Sequence, residues 1–185
     1  SGKTALVYGL LEKINKPVYI YRHPKPELIG SLGYGLMQSI EELEHMQEAV
    51  LWIDEPQLFI KYYDKRTNTA LMNILSIARH RDVTIIFSTS DSRFVNRGLE
   101  SYIDVWLVKD IEIDLVKQGS LVKKIVRKNC IIDEDGWRLQ VHEFLFYGRD
   151  FPELNGKHTF AKPEYFSEEH SKPFKIAIET AKVVF

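Results

Sequence analysis

Two carboxylates, Asp54 and Glu55, stand at the end of an apolar run that begins at Ala49. A continuous apolar run of this length predicts a strand that is buried on both faces of a parallel sheet. Carboxylates at such a strand end are costly to bury without a cation, and Mg²⁺ is the usual cation there. Asp54 would hold the metal, and Glu55 would orient or deprotonate an attacking water. Without a second motif, the simpler interpretation would be a strand that leads into an acidic turn before Pro56.

The second motif is Ser1-Gly2-Lys3-Thr4, at the start of the sequence. It matches the end of the phosphate-binding loop G-x-x-x-x-G-K-S/T, in which glycine lets the backbone approach phosphate. Lys3 would reach the β- and γ-phosphates, and the Thr4 hydroxyl would ligate Mg²⁺. The residues that follow have helical apolar spacing, so a helix N-terminus would direct its N–H groups at the phosphates. Together the two motifs resemble a P-loop NTPase of the class that has an additional catalytic glutamate.

The first glycine of that loop and the strand before it are absent from the sequence. In this fold class the missing strand is central to the sheet. We therefore expect a single P-loop ATPase domain over residues 1–185 that belongs to a longer natural chain, with residues 111–185 as a C-terminal elaboration.

Composition limits the possible functions. The 185 residues are 44% hydrophobic and 28% charged, which suits one globular domain with a substantial core. A net charge of −1 implies no broad basic surface, so nucleic-acid binding would depend on local patches. Cys130 is the only cysteine, which excludes an intrachain disulfide framework and a cysteine-rich zinc site. No apolar run approaches membrane-spanning length.

Helix and strand patterns alternate along the first half of the chain. We expect a loop at residues 30–35, which contain three glycines. The other predicted elements are a strand at Pro17–Tyr21, a helix at Gln38–Gln47, a helix from Thr67 or Asn68 to about Arg79, a strand at Val83–Phe87, a helix at Phe94–Tyr102 and a buried strand at Val105–Val108. This alternation predicts a three-layer α/β sandwich with a mainly parallel central sheet.

Four polar residues, Ser88-Thr89-Ser90-Asp91, follow the strand at Val83–Phe87. A polar side chain at this strand end could contact the γ-phosphate or position the attacking water. Hydroxyl residues at a strand end are as often simple turn formers, so both interpretations stay open.

The order of motifs from Ser1 to Lys109 resembles the FtsK–HerA superfamily of DNA-pumping ATPases. This superfamily includes genome-packaging ATPases of membrane-containing viruses and the Zot-like phage assembly ATPases. Besides the two motifs above, the resemblance depends on Ala78-Arg79-His80-Arg81, the strand that ends in Thr89-Ser90, Arg93, Arg97-Gly98-Leu99 and Tyr102-Ile103-Asp104. Thr89-Ser90 stands where the family usually has Thr-Gln.

The resemblance implies a RecA/ASCE-like P-loop fold with ATP and Mg²⁺ as cofactors. It implies that Ser1 to Thr4 bind the nucleotide, that Asp54 and Thr4 bind the metal, that Glu55 acts on the water and that Ser90 occupies the sensor position. It also implies an arginine finger donated in trans within a homo-oligomeric ring. Arg79 and Arg81 are the first candidates, and Arg93 and Arg97 the second. The alternative is that Arg79 and Arg81 only favour the helix C-terminal dipole.

The second half predicts fewer functional residues. Ser120–Lys128 has the pattern of an amphipathic helix with a cationic face, which could follow a phosphate backbone or be an ordinary solvated surface. We expect a strand or hairpin within Trp137–Tyr147, a further strand at His158–Phe160 and a short helix from Glu168. The segment around Pro163 to Ser171 also resembles the C-terminal segments of virus-type packaging and assembly ATPases.

Three functions follow from these motifs. The first is an ATPase motor that moves double-stranded DNA, as a ring, viral and therefore in the host cytoplasm. The second is a Zot-like assembly or secretion ATPase with capsid or membrane partners, which the lack of a membrane-spanning segment disfavours. The third is a nucleotide-dependent switch with low turnover, which the Asp54-Glu55 pair disfavours.

Overall fold

The computed structural model describes residues 2–58, 65–90, 102–109, 120–129 and 139–171. The chain forms two compact units, which are treated separately below. Leu10–Thr89 and Glu164–Phe185 form the parallel unit, and Ser1–Gly9 and Ser90–Pro163 form the antiparallel unit. Several predicted features lie outside the described residues, namely Ser1, the helix before Tyr102, Arg93, Arg97 and Cys130.

Helices and strands alternate through the first half of the chain. In order, the elements are α1 (Lys3–Leu11), β1 (Val18–Tyr21), α2 (Pro26–Ser31), β2 (Gly35–Met37), a 3₁₀ helix (Ile40–His45), β3 (Val50–Asp54), a 3₁₀ helix (Pro56–Leu58), α3 (Lys65–His80) and β4 (Thr84–Ser88). The later elements are β5 (Val105–Val108), α4 (Ser120–Asn129), β6 (Glu143–Gly148), a 3₁₀ helix (Pro152–Leu154), β7 (Gly156–Thr159) and α5 (Glu168–Ser171). The protein is therefore of the α/β class.

The parallel unit contains a four-stranded sheet with the order β2-β1-β3-β4, in which every pair is parallel. The apolar run before Glu55 forms β3, between β1 and β4. All five residues of β3 are buried, which confirms the prediction of a strand covered on both faces. Since β1, β3 and β4 are parallel and adjacent, the residues that follow them lie at one edge of the sheet.

One face of this sheet packs against α3 and the first 3₁₀ helix. Leu51 and Ile53 are almost completely buried there, and Ala78 of α3 lies among them. Burying a Leu or Ile side chain contributes about 1.5–3 kcal/mol, so this contact holds β3 and β4 in place. The cluster consists of Tyr21, Met37, Leu43, Met46, Ala49, Leu51, Ile53, Ala78 and Val83, with Ile74, Ile77, Ile85 and Phe87 packed against it.

The predicted loop at residues 30–35 was wrong. α2 continues to Ser31, and β2 begins at Gly35 and pairs with β1. Glycine is compatible with a strand here because the Tyr19 ring lies over its backbone. A Cβ atom at Gly35 would be 2.5 Å from that ring. The sequence hides this strand because its three residues are too few to show alternation.

In the antiparallel unit, the order of the sheet is β5-β6-β7. Val122, Ile125 and Val126 of α4 are buried with Leu145 of β6, which confirms the predicted amphipathic helix. The predicted strand at Val105–Val108 is present, but its predicted full burial was wrong, because all four residues are only half-buried. It belongs to a small antiparallel sheet, where one solvated face is common.

The cationic side of α4 remains on the surface. Lys124 and Arg127 are exposed, and Lys123 is half-buried.

Among the residues that the structure describes, no helix has the length and apolar character needed to span a bilayer.

Two buried histidines lie in the parallel unit, one after β1 and one in α5. His23 and His170 are 4% and 5% exposed, and Lys25 and Glu169 beside them form an ion pair at 3.3 Å. The Nδ1 atom of His170 is 3.1 Å from the backbone nitrogen of Ser167. Burial lowers the pKa of both imidazoles, and the charges of His170 and Lys25 lower that of His23 further.

We predict that acid weakens the parallel unit through these histidines. Because their folded pKa lies below the ordinary value of 6.5, the unfolded chain binds protons first as pH falls. Their contribution to stability is complete above pH 6.5 and is lost as pH falls through the folded pKa. Urea unfolding at several pH values should therefore show a smaller acid loss in a His23→Gln, His170→Gln protein. Replacement of the exposed His45 by Gln is the control. Equal acid losses in the wild type and the double variant would contradict the assignment.

Candidate functional site

The residues predicted to bind phosphate stand at the start of α1. Gly2 has φ of +75°, a left-handed conformation that glycine adopts without strain. Its carbonyl accepts a hydrogen bond from the N–H of Leu6 at 3.0 Å, so the helix begins directly after it. Lys3 and Thr4 follow in the first turn and are half-buried. Glycine is therefore well suited to this position, because other residues rarely adopt this conformation.

The first turn of α1 carries no acidic residue. The first N–H groups of a helix have no partner within the helix, and the helix dipole gives this end a partial positive charge. An acidic side chain would neutralise this charge, so its absence leaves the end of α1 favourable for an anion. The lysine of the motif adds a full charge at the same place.

The two carboxylates lie at the carboxyl edge of the parallel sheet. Asp54 is the last residue of β3 and is 6% exposed, and Glu55 follows it, half-buried. Glu55 has φ of +44°, which costs a non-glycine residue of order 1–3 kcal/mol. Its N–H donates to the carbonyl of Ser88 at 2.7 Å, and this bond holds the turn in place. Such strained residues concentrate at ligand sites, where the fold must aim a side chain.

Ser88 connects the ends of β3 and β4. It pairs in register with Asp54, and its hydroxyl donates to Asp54 Oδ1 at 2.5 Å. The same hydroxyl oxygen accepts a hydrogen bond from Trp52 Nε1 at 2.8 Å. Because a hydroxyl has one proton, Ser88 accepts the hydrogen bond from Trp52 and donates its proton to Asp54. One oxygen of Asp54 is therefore held by the protein itself.

The role of Ser88 was missed in the sequence analysis, which assigned the sensor position to Ser90. Ser90 is exposed and lies two residues beyond the end of β4, so its sensor role stays a prediction. A signal for Ser88 was available, since β3 and β4 were both expected to be buried strands with polar ends. Aligning those ends in a parallel pair places the last residue of one beside the last residue of the other.

The two candidate finger arginines lie at the other end of β4. Arg79 is in the last turn of α3 and Arg81 follows the helix, and both are exposed. The backbone of Arg81 is fixed, because its carbonyl accepts the N–H of Glu48 at 3.0 Å. β4 then runs from Thr84 to Ser88, about 13 Å at a rise of 3.3 Å per residue. The structure thus separates these arginines from the carboxylates of their own sheet.

The donors predicted for Mg²⁺ are a carboxylate and a hydroxyl, which are the hard oxygen ligands that this ion prefers. Asp54 fits this role, because it is buried at a sheet edge with one oxygen already oriented. Thr4 fits by residue type and by its place in the first turn of α1. In the described part of the chain, no three His, Cys, Asp or Glu side chains group as a metal site. A nucleotide-bound Mg²⁺ needs only one or two protein ligands besides phosphate and water.

Comparisons of the chain with protein-family models, with curated proteins and with solved structures find no match. The case for a function therefore depends on the residues and contacts described above.

Proposed function

We propose that this chain is an ATP hydrolase of the RecA/ASCE-like P-loop class, a three-layer fold, that acts as a ring to translocate or package double-stranded DNA. The observation that carries the proposal is the carboxyl edge of the parallel sheet. There Asp54 is oriented by Ser88, and Glu55 follows in a strained conformation. A structural acidic turn would explain the two carboxylates, but it would not require a buried hydroxyl bound to Asp54.

Binding of ATP is assigned to the start of α1. The left-handed Gly2 lets the phosphate chain approach the backbone, and the first N–H groups of the helix donate to it. Lys3 adds its ammonium group at the β- and γ-phosphates, and the Thr4 hydroxyl ligates Mg²⁺. The absence of an acidic residue in this turn supports the assignment, because a carboxylate there would repel the nucleotide.

Hydrolysis is assigned to Glu55. A water oxygen attacks the γ-phosphorus, the carboxylate accepts a proton from that water, and the bond from the γ-phosphorus to its bridging oxygen breaks. The products are ADP and inorganic phosphate. Asp54 holds Mg²⁺, which when bound neutralises charge that develops on the phosphoryl oxygens. Ser90 is the residue proposed to sense the γ-phosphate.

The DNA assignment has one structural support besides the resemblance. The apolar side of α4 is used against its own sheet, while Lys124 and Arg127 remain exposed on the helix. An exposed cationic helix face in a protein of net charge −1 is a local patch of the kind that contacts a phosphate backbone.

The test is ATPase activity of the protein with and without double-stranded DNA. We expect Mg²⁺-dependent turnover that DNA increases. Lys3→Ala should weaken ATP binding by about 10- to 150-fold, the equivalent of a lost charge-assisted hydrogen bond of about 1.5–3 kcal/mol. Lys13→Ala, at an exposed lysine just after α1, is the control and should bind ATP as the wild type does.

Each other outcome points to a different conclusion. Turnover that DNA leaves unchanged would favour the assembly ATPase, and tight ATP binding without turnover would favour the nucleotide switch. If the wild type binds no ATP, or if Lys3→Ala binds it normally, the phosphate-loop assignment is wrong.

A further inference from the structure

A second lysine, Lys109, lies against the phosphate-binding loop within the antiparallel unit. It follows β5 directly and is 5% exposed. A Cβ atom built on Gly2 would be 3.2 Å from Lys109 Cε and 3.9 Å from its ammonium nitrogen. The side chain of Lys109 therefore occupies the space beside the loop glycine, and a larger residue at position 2 would displace it.

Two further contacts aim the ammonium group of Lys109. It donates a hydrogen bond to the carbonyl of Gln140 at 3.1 Å. It also lies 5.8 Å from the centre of the Phe160 ring, within the range of a cation–π contact. A lysine side chain ordinarily keeps its charge in water, so a lysine held by buried contacts next to a glycine loop is unusual.

We propose that Lys109 is a second cationic ligand of the nucleotide phosphate chain, in addition to Lys3; this inference rests on the proposed function. The loop backbone at Gly2 comes close to the phosphates in the proposed complex, and the ammonium group of Lys109 lies next to that backbone. ATP with one Mg²⁺ carries a charge of about −2 at neutral pH, so one lysine leaves it half compensated. Two lysines balance it, and the helix N-terminus adds hydrogen bonds.

This role also explains the choice of lysine at position 109. If it only filled space beside Gly2, an apolar side chain of similar length would do so without the cost of burying a charge. A carbonyl and an aromatic face hold the ammonium group in one direction, beside the backbone of Gly2. In the proposed complex, the loop brings phosphate oxygens to that backbone.

The experiment measures binding of ATP and of inorganic tripolyphosphate to the protein by calorimetry. Tripolyphosphate isolates the phosphate contacts, because it has neither base nor sugar. Lys109→Met, which keeps the length and removes the charge, should weaken both probes by about 10- to 150-fold, the range for a lost hydrogen bond to a charged group. Lys109→Arg should recover most of this loss. Lys157→Met, at an exposed lysine of the same unit, should bind both probes within twofold of the wild type.

The outcomes separate this inference from the proposed function. If the wild type binds both probes and Lys109→Met binds them equally well, Lys109 is no phosphate ligand and the proposed function stands. If binding of ATP falls but binding of tripolyphosphate does not, the inference is also overturned. If the wild type binds neither probe, the phosphate-loop assignment fails and this inference fails with it.

A second measurement covers the case in which Lys109→Met does not fold. In the unaltered protein, the ¹³Cε resonance of Lys109 can be assigned by its disappearance in Lys109→Arg. It should move on saturation with tripolyphosphate, together with that of Lys3. A Lys109 resonance that stays in place while that of Lys3 moves would overturn the inference.

Discussion

A Glu55→Gln protein is expected to bind ATP as tightly as the wild type and to hydrolyse it about 10²- to 10⁴-fold more slowly, the usual contribution of a general base. Glutamine has the same size and shape as glutamate, but its amide cannot accept a proton from the attacking water. The loss should therefore appear in turnover and leave the dissociation constant for ATP unchanged, because only the transition state requires the proton transfer.

The structure makes this substitution a clean test. The turn at Glu55 is held by its backbone, through the N–H bond to Ser88, and glutamine keeps that bond. A matched control exists at Glu48, which also has a left-handed φ, +49°, but precedes β3 at the opposite edge of the sheet. Glu48→Gln should retain full turnover. If Glu55→Gln turns over ATP as fast as Glu48→Gln does, Glu55 is not the catalytic base.

Subunits without Arg79 and Arg81 are expected to be inactive alone and to regain activity when mixed with Glu55→Gln subunits. An arginine finger contributes about 10³- to 10⁵-fold to the rate, because it neutralises charge that develops on the phosphoryl oxygens in the transition state. In a mixed ring, a subunit without the arginines keeps its own Glu55 and receives an arginine from a Glu55→Gln neighbour. Steady-state ATPase activity of the mixture measures this rescue.

The position of the two arginines supports a trans role over a cis role. They precede β4, whereas Ser88 and the carboxylate that it binds lie at the far end of the same strand, about 13 Å away. Those arginines therefore serve another subunit, or they serve only the end of α3.

A triple variant that lacks both arginines and carries Glu55→Gln is the control, since it can donate no finger and should rescue nothing. Activity per subunit should also rise with protein concentration as rings form. A mixture that stays as inactive as its components, after co-assembly has been demonstrated, would leave the arginines as helix-end charges.

The parts of the fold that the sequence predicts well are those with long, regular patterns. β3 is five buried residues, and α4 has a clear apolar stripe, so both were recognised by type and place. β2 was missed, because Gly35 is compatible with a strand only through the Tyr19 ring that covers it, which is a contact across two strands. The burial of β5 was overestimated for a related reason. An apolar run does not reveal whether its neighbours are parallel or antiparallel.

The residues of the candidate site differ in whether the sequence could suggest them. The two motifs at the start of α1 and the end of β3 can be proposed from residue types and their order alone. Ser88 and Lys109 cannot be proposed in this way, because a single serine or lysine is common in any sequence. Each is placed in the candidate site by a contact with a residue distant in sequence. Asp54 is 34 residues from Ser88, and Gln140 is 31 residues from Lys109.

The hydrogen-bond chain from Trp52 through Ser88 to Asp54 couples a carboxylate to a chromophore. Trp52 is completely buried, so bulk solvent does not quench or shift its emission directly. A cation bound at Asp54 is expected to weaken the hydrogen bond from Ser88 and, through it, to change the hydrogen bond from the indole N–H. Trp52 emission should therefore report occupancy of the proposed metal ligand without a label, once the emission of the other two tryptophans is subtracted.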